Sequence, residues 1–69
     1  MIVVRQYGDM VLNFDHINLV YINDNQITCE MEDKRELYLA TYNDDRILEV
    51  FDEFINALGK VNVFRFPEE

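Results

Sequence analysis

Apolar and polar residues alternate along the first two thirds of the chain, and the period then changes. IVVRQY at 2–7 is rich in β-branched residues, Gly8-Asp9 is a turn signal, and MVLNF resumes at Met10, which predicts a first hairpin. INLVYI (17–22) and QITCEME (26–32) flank Asn23-Asp24-Asn25, three residues that tolerate positive φ and bond their own backbone, which predicts a second hairpin. In its later strand Ile27, Cys29 and Met31 alternate with Thr28, Glu30 and Glu32, as expected when one face is buried. Asp33-Lys34 then turns the chain into ELYLATY (36–42).

From Asn43 the spacing becomes helical. Ile47, Val50, Phe51, Phe54, Ile55 and Leu58 recur at i, i+3, i+4, i+7, i+8 and i+11, and Leu48 is expected to widen this stripe so that it covers a sheet. Asn43 suits the N-cap, Asp44 and Asp45 favour the positive end of the helix dipole, and Gly59 suits the left-handed position after the last turn. The helix is predicted over 44–58. VNVFRF (61–66) reads as a last strand, ended by Pro67 and two glutamates.

These elements predict an α+β fold in one domain over 1–69: a mainly antiparallel five-stranded sheet with one helix on a face, in the order β-β-β-β-α-β. One helix covers one face only. Val20, Ile22, Tyr38 and Tyr42 are assigned to the uncovered side, where they suggest a homodimer or a sheet curled onto itself.

Composition narrows the function. At 69 residues the chain is near the lower limit for a core without disulfides or metal, and 49% hydrophobic content is too high for disorder. The apolar run before Arg5 is too short for a signal peptide, and the polar interruptions argue against a membrane span, so a cytoplasmic setting is expected. Fourteen acidic residues against six basic ones leave a net charge of −8, which disfavours direct binding to nucleic acid or to an anionic membrane. A basic protein partner is compatible with it.

Catalytic constellations are scarce. The sequence has no serine, and Cys29 with His16 is the sole thiol and base combination; Cys29 is expected on the core side with Ile27 and Met31. His16 has no companion ligands, and Asn23-Asp24-Asn25 lacks the glycine and later ligands of a calcium loop. No metal or cofactor is expected, and the chain is read as a non-enzyme.

The carboxylates are the informative feature. Asp45 to Glu49 and Glu49 to Glu53 are like-charge pairs at i, i+4, each costing roughly 0.2–0.5 kcal/mol, and Asp52 adds to the same acidic side. Glu30 and Glu32 form a second pair on one strand face, about 6.6–6.8 Å apart. Two readings stay open: a solvated surface, or a surface that meets a basic protein patch.

The opening MIVV, NFDHI before an apolar strand, LYLATY before an acidic helix, and the closing FRFPEE together resemble small uncharacterised proteins of Gram-positive bacteria, their phages and mobile elements. The resemblance spans nearly the whole chain. It implies a small β-rich domain with one helix and residence in a phage or mobile element, where small acidic proteins often inhibit host defence or nucleic-acid enzymes, as anti-CRISPR proteins do. The expected function is a protein-interaction module that binds a basic, nucleic-acid-handling site through Asp45, Glu49, Asp52, Glu53, Glu30 and Glu32. The alternative is a structural or accessory homodimer without inhibitory role.

Overall fold

The Gly8-Asp9 signal folds as a hairpin. In the computed structural model, which describes residues 1–68, β1 (Ile2–Val4) and β2 (Val11–Asn13) pair antiparallel with Ile2 opposite Asn13 and Val4 opposite Val11. The reversal uses positive φ at Tyr7 and Gly8, 71° and 73°. Glycine takes this conformation freely, whereas Tyr7 adopts it against the preference of a bulky side chain.

After β2 the chain leaves this sheet. The Asn13 side chain accepts from the Asp15 amide at 3.0 Å and starts a single 3-10 turn over Phe14–His16. β3 (Ile17–Asn23), β4 (Gln26–Met31) and β5 (Glu36–Thr41) then form an antiparallel meander in the order β3-β4-β5. The second predicted hairpin is present, with the two residues Asp24-Asn25 as its turn and φ of 55° at Asp24. Helix α1 (Asp44–Ala57) follows, capped as expected by the Asn43 side chain, which accepts from the Arg46 amide at 3.0 Å. Gly59 takes φ of 76° after the last turn. β6 (Val63–Arg65) returns to pair parallel with β1, giving a second sheet in the order β2-β1-β6.

The α+β class therefore holds, but the single five-stranded sheet does not. Among the described residues there are six strands, five of them before the helix, in two three-stranded sheets. The 3-10 turn at Phe14–His16 breaks the pairing between successive hairpins, and β6 joins β1 instead of extending the meander. The expected last glutamate, Glu69, lies outside the described residues.

Both sheets contribute to one core. Val3, Ile27, Cys29, Leu39, Val50, Phe54 and Phe66 are buried together. Phe54 gathers Phe14, Phe64 and Phe66 around its ring at centroid distances of 5.9, 5.2 and 5.4 Å, so residues from the 3-10 turn, β6 and its continuation converge on the helix.

Two assignments of strand faces are corrected. Val20 lies opposite Cys29, and Ile22 opposite Ile27, so both share the buried face of β4 and pack against the core. Residues directly opposite in a ladder lie on the same side, so Leu19 and Tyr21 point to the outer face instead. Tyr42 is 3% exposed. A bulge accounts for this: Ile27 pairs with Ala40 but Thr28 pairs with Tyr38, so Leu39 is an extra residue and the alternation reverses beyond it. Of the four residues on which the dimer expectation rested, only Tyr38 is open to solvent, at 50%.

Gln6 joins the sheets. Its side chain is 6% exposed; Oε1 accepts from the Thr41 amide at 2.9 Å, while Nε2 donates to the carbonyls of Thr41, Pro67 and Glu68 at 3.1, 3.3 and 3.0 Å. The Tyr42 hydroxyl donates to the same Pro67 carbonyl. One amide thus caps the edge of β5 and secures the segment after β6. Gln6→Ala should lower unfolding free energy by about 2 kcal/mol, since several partly buried groups lose their partner at once. Gln6→Glu should be worse at pH 7 than at pH 4. The introduced carboxylate would face three carbonyl oxygens, so its folded pKa is raised and stability falls as pH rises through it. Urea unfolding midpoints of the two variants at both pH values check this.

Candidate protein-interaction surfaces

The core side of α1 is narrower than its apolar spacing suggests. Ile47, Val50 and Phe54 are buried, whereas Leu48 is 67% and Ile55 48% exposed. Leu48 therefore does not widen the core stripe. At 100° per residue it lies too far round from the centre set by Ile47, Val50 and Phe54.

The same geometry divides the four helix carboxylates. Asp45, Leu48, Asp52 and Ile55 fall within about 80° of arc on the outward side. Glu49 and Glu53 lie on the adjoining flank with Arg46, which pairs with the Glu49 carboxylate and stands 3.9 Å from that of Glu53. The expected repulsion between Glu49 and Glu53 is thus offset by a shared cation. These pairs are exposed, which limits each to about 0–1 kcal/mol.

Glu30 and Glu32 are not brought to the helix. Glu30 lies opposite Leu19 on the outer face of the meander, while the helix packs on the face carrying Ile27 and Cys29. It is 3.5 Å from Asn18 Nδ2 and 4.0 Å from Lys34 Nζ. Glu32 lies past the end of β4, where its carboxylate meets His16 Nδ1 at 2.8 Å and its amide donates to the His16 carbonyl. The six predicted carboxylates thus form an outward helix stripe, an arginine-bridged flank, one residue on the opposite face and one at a sheet corner.

Sequence reasoning missed two parts of these surfaces. Leu48 and Ile55 were assigned to the core, although their angle from Ile47, Val50 and Phe54 places them outside it. The outer face of the meander carries Leu19, Tyr21, Thr28, Glu30, Glu36 and Tyr38. Its composition follows once the Asp24-Asn25 turn fixes the register. Partial desolvation, with the Glu36 and Glu30 carboxylates, pushes the Tyr21 hydroxyl above the usual phenol range.

Cys29 and His16 are separated by the fold. Cys29 is wholly buried in the core, where its thiol donates to the Met31 sulfur at 4.0 Å; His16 is exposed and faces Glu32. Among the described residues no group of three or more His, Cys, Asp or Glu side chains could hold a metal ion, and no helix is long and apolar enough to cross a membrane. Comparison with family models, curated proteins and solved structures returned no match.

Burial pushes the Cys29 thiol above its ordinary value, opposed by a weaker hydrogen bond with the Leu37 backbone. Since the thiolate is the reactive form, the native protein should resist a disulfide reagent at pH 8, and one thiol per chain should react on unfolding in guanidinium. Absorbance of the released chromophore with time measures both. Rapid reaction of the folded chain would contradict the burial.

Proposed function

We propose that this protein is a small, non-enzymatic interaction module whose helix binds a basic surface on another protein, one that otherwise holds nucleic acid. The supporting observation is the outward side of α1. Leu48 and Ile55 stand in solvent two turns apart, beside Asp45 and Asp52. Asp45 and Asp52 lie on the arc away from Arg46, so their charge is available to a partner. Apolar anchors bordered by carboxylates are what a basic patch with an apolar centre requires: the anchors exclude water, and the carboxylates occupy lysine and arginine side chains that would bind phosphates.

The net charge of −8 acts in the same direction at longer range. It steers a cationic partner toward the chain and repels nucleic acid from the occupied site, so the action is that of a competitor for a phosphate-binding surface. Residence in a phage or mobile element, with inhibition of a host defence or nucleic-acid enzyme, is the setting in which such competition would be useful.

Capture of partners from a bacterial host lysate, at low and at high salt, tests the proposal. The wild type should retain a nucleic-acid-handling protein at low salt and release it as screening grows. Asp45→Asn combined with Asp52→Asn should weaken that capture, as should Leu48→Ser alone. These positions are exposed, so unfolding free energies should stay within about 0.5 kcal/mol of the wild type. Unchanged capture by both variants, at unchanged stability, would remove the helix from the interface.

A further inference from the structure

The chain treats the two edges of the β3-β4-β5 sheet differently. At the β5 edge the Gln6 amide satisfies both backbone groups of Thr41, and Arg5 extends across the outer face. Its guanidinium lies over the Tyr38 ring at 4.9 Å from the centroid, and its Nη1 donates to the Tyr38 carbonyl at 3.5 Å. A second outer-face tyrosine, Tyr21, lies across Thr28 from Tyr38 in the register, next to the opposite edge. No arginine covers it among the described residues.

The β3 edge is also open along its backbone. Asn23 and Gln26 close the two-residue turn as a hydrogen-bonded pair, so the alternation of an antiparallel ladder directs the N–H and C=O groups of Val20 and Ile22 away from β4. Among the described residues neither makes a further backbone hydrogen bond, and no element other than β4 packs extensively along β3. The strand sequence, INLVYIN, contains none of the charges or prolines that usually guard an exposed edge.

Charge decides the occupant. Glu30 and Glu36 face each other on the outer side of the sheet with a single lysine, Lys34, 4.0 Å from Glu30, and both carboxylates act on Tyr21. A second copy would bring another net charge of −8 against this face, whereas a cationic strand would relieve the repulsion between two opposed carboxylates.

We infer that β3 is a docking edge for an extended, arginine-bearing segment of a partner protein. The segment's main chain pairs with Val20 and Ile22, and an arginine lies over Tyr21 with its guanidinium directed toward Glu30. The inference shares with the proposed function the reading that the partner is basic, but it uses the face of the sheet turned away from the helix. It is the arrangement that Arg5 and Gln6 already make at the β5 edge, supplied from outside. Main-chain pairing would give affinity, and the planar guanidinium, which stacks where an ammonium does not, would give preference for arginine over lysine.

The probe is an octapeptide alternating arginine and threonine, with its lysine and threonine counterpart, titrated into isotope-labelled protein and followed by amide exchange. Binding should slow exchange at the Val20 and Ile22 amides and weaken with salt. The lysine peptide should bind at least about threefold more weakly. Tyr21→Ala should cost about fivefold, the size of one exposed cation–π contact, while Tyr21→Phe, which keeps the ring, should bind as the wild type does. The pair Asp45→Asn and Asp52→Asn should leave peptide binding unchanged, so loss of helix-dependent capture and loss of edge docking are read separately. Equal affinity for the two peptides, protection confined to other strands, or no binding would overturn the docking edge. So would self-association of the free protein with protection at Val20 and Ile22, which would make a second copy the occupant.

Discussion

The buried amide of Gln6 is the joint on which the architecture depends. Two three-stranded sheets of this size have little apolar area each and stand at the lower limit of what a sheet needs to hold itself together. They share one core, and the first hairpin fastens them by delivering a side chain that pairs with the edge of β5 as a neighbouring strand would and also holds the carbonyls after β6. Tyr42 reinforces this through the Pro67 carbonyl. With the C-terminal segment so held, Phe64 and Phe66 are positioned against Phe54, and the helix is fixed over both sheets.

That arrangement also determines what remains outside. A helix seated against two small sheets buries a narrow strip, Ile47, Val50 and Phe54, and leaves Leu48 and Ile55 exposed beside it. The acidic residues are divided by the same rotation. Arg46 draws Glu49 and Glu53 into a local network, and Asp45 and Asp52 stay beside the exposed leucine and isoleucine. On the far side, the meander presents two tyrosines and two opposed glutamates around Thr28. The protein thus has two separate acidic surfaces, each with apolar or aromatic side chains among the carboxylates.

Local signals were legible where local physics decides. Asn43 as cap, Gly59 after the helix, the turn at Asp24 and the burial of Ile27, Cys29 and Met31 all follow from short-range preferences. The α+β class follows from their order. What the sequence concealed depends on pairing between distant residues. Nothing near Val63 reveals that β6 returns to β1, and nothing near Phe14 shows that a single 3-10 turn will separate two sheets. The bulge at Leu39 was equally hidden, since ELYLATY reads as unbroken alternation. The faces of Val20 and Ile22 were within reach, because the two-residue turn fixes their opposite numbers. The outward position of Leu48 was also within reach, had its angle been compared with Val50 and Phe54.

The bulge at Leu39 gives β5 one residue that it can lose. Leu39 has no opposite number on β4, so deleting it would restore simple alternation while leaving Ala40 opposite Ile27 and Tyr42 beside the Pro67 carbonyl, at the cost of one buried side chain. Beyond the bulge there is no such slack: without Thr41, Tyr42 would turn to the outer face and leave the Pro67 carbonyl, and Asn43 would start the helix from the wrong side of the sheet. Variation in related chains should therefore admit the loss of a residue at 39 or 40 and keep the spacing from there to the helix fixed.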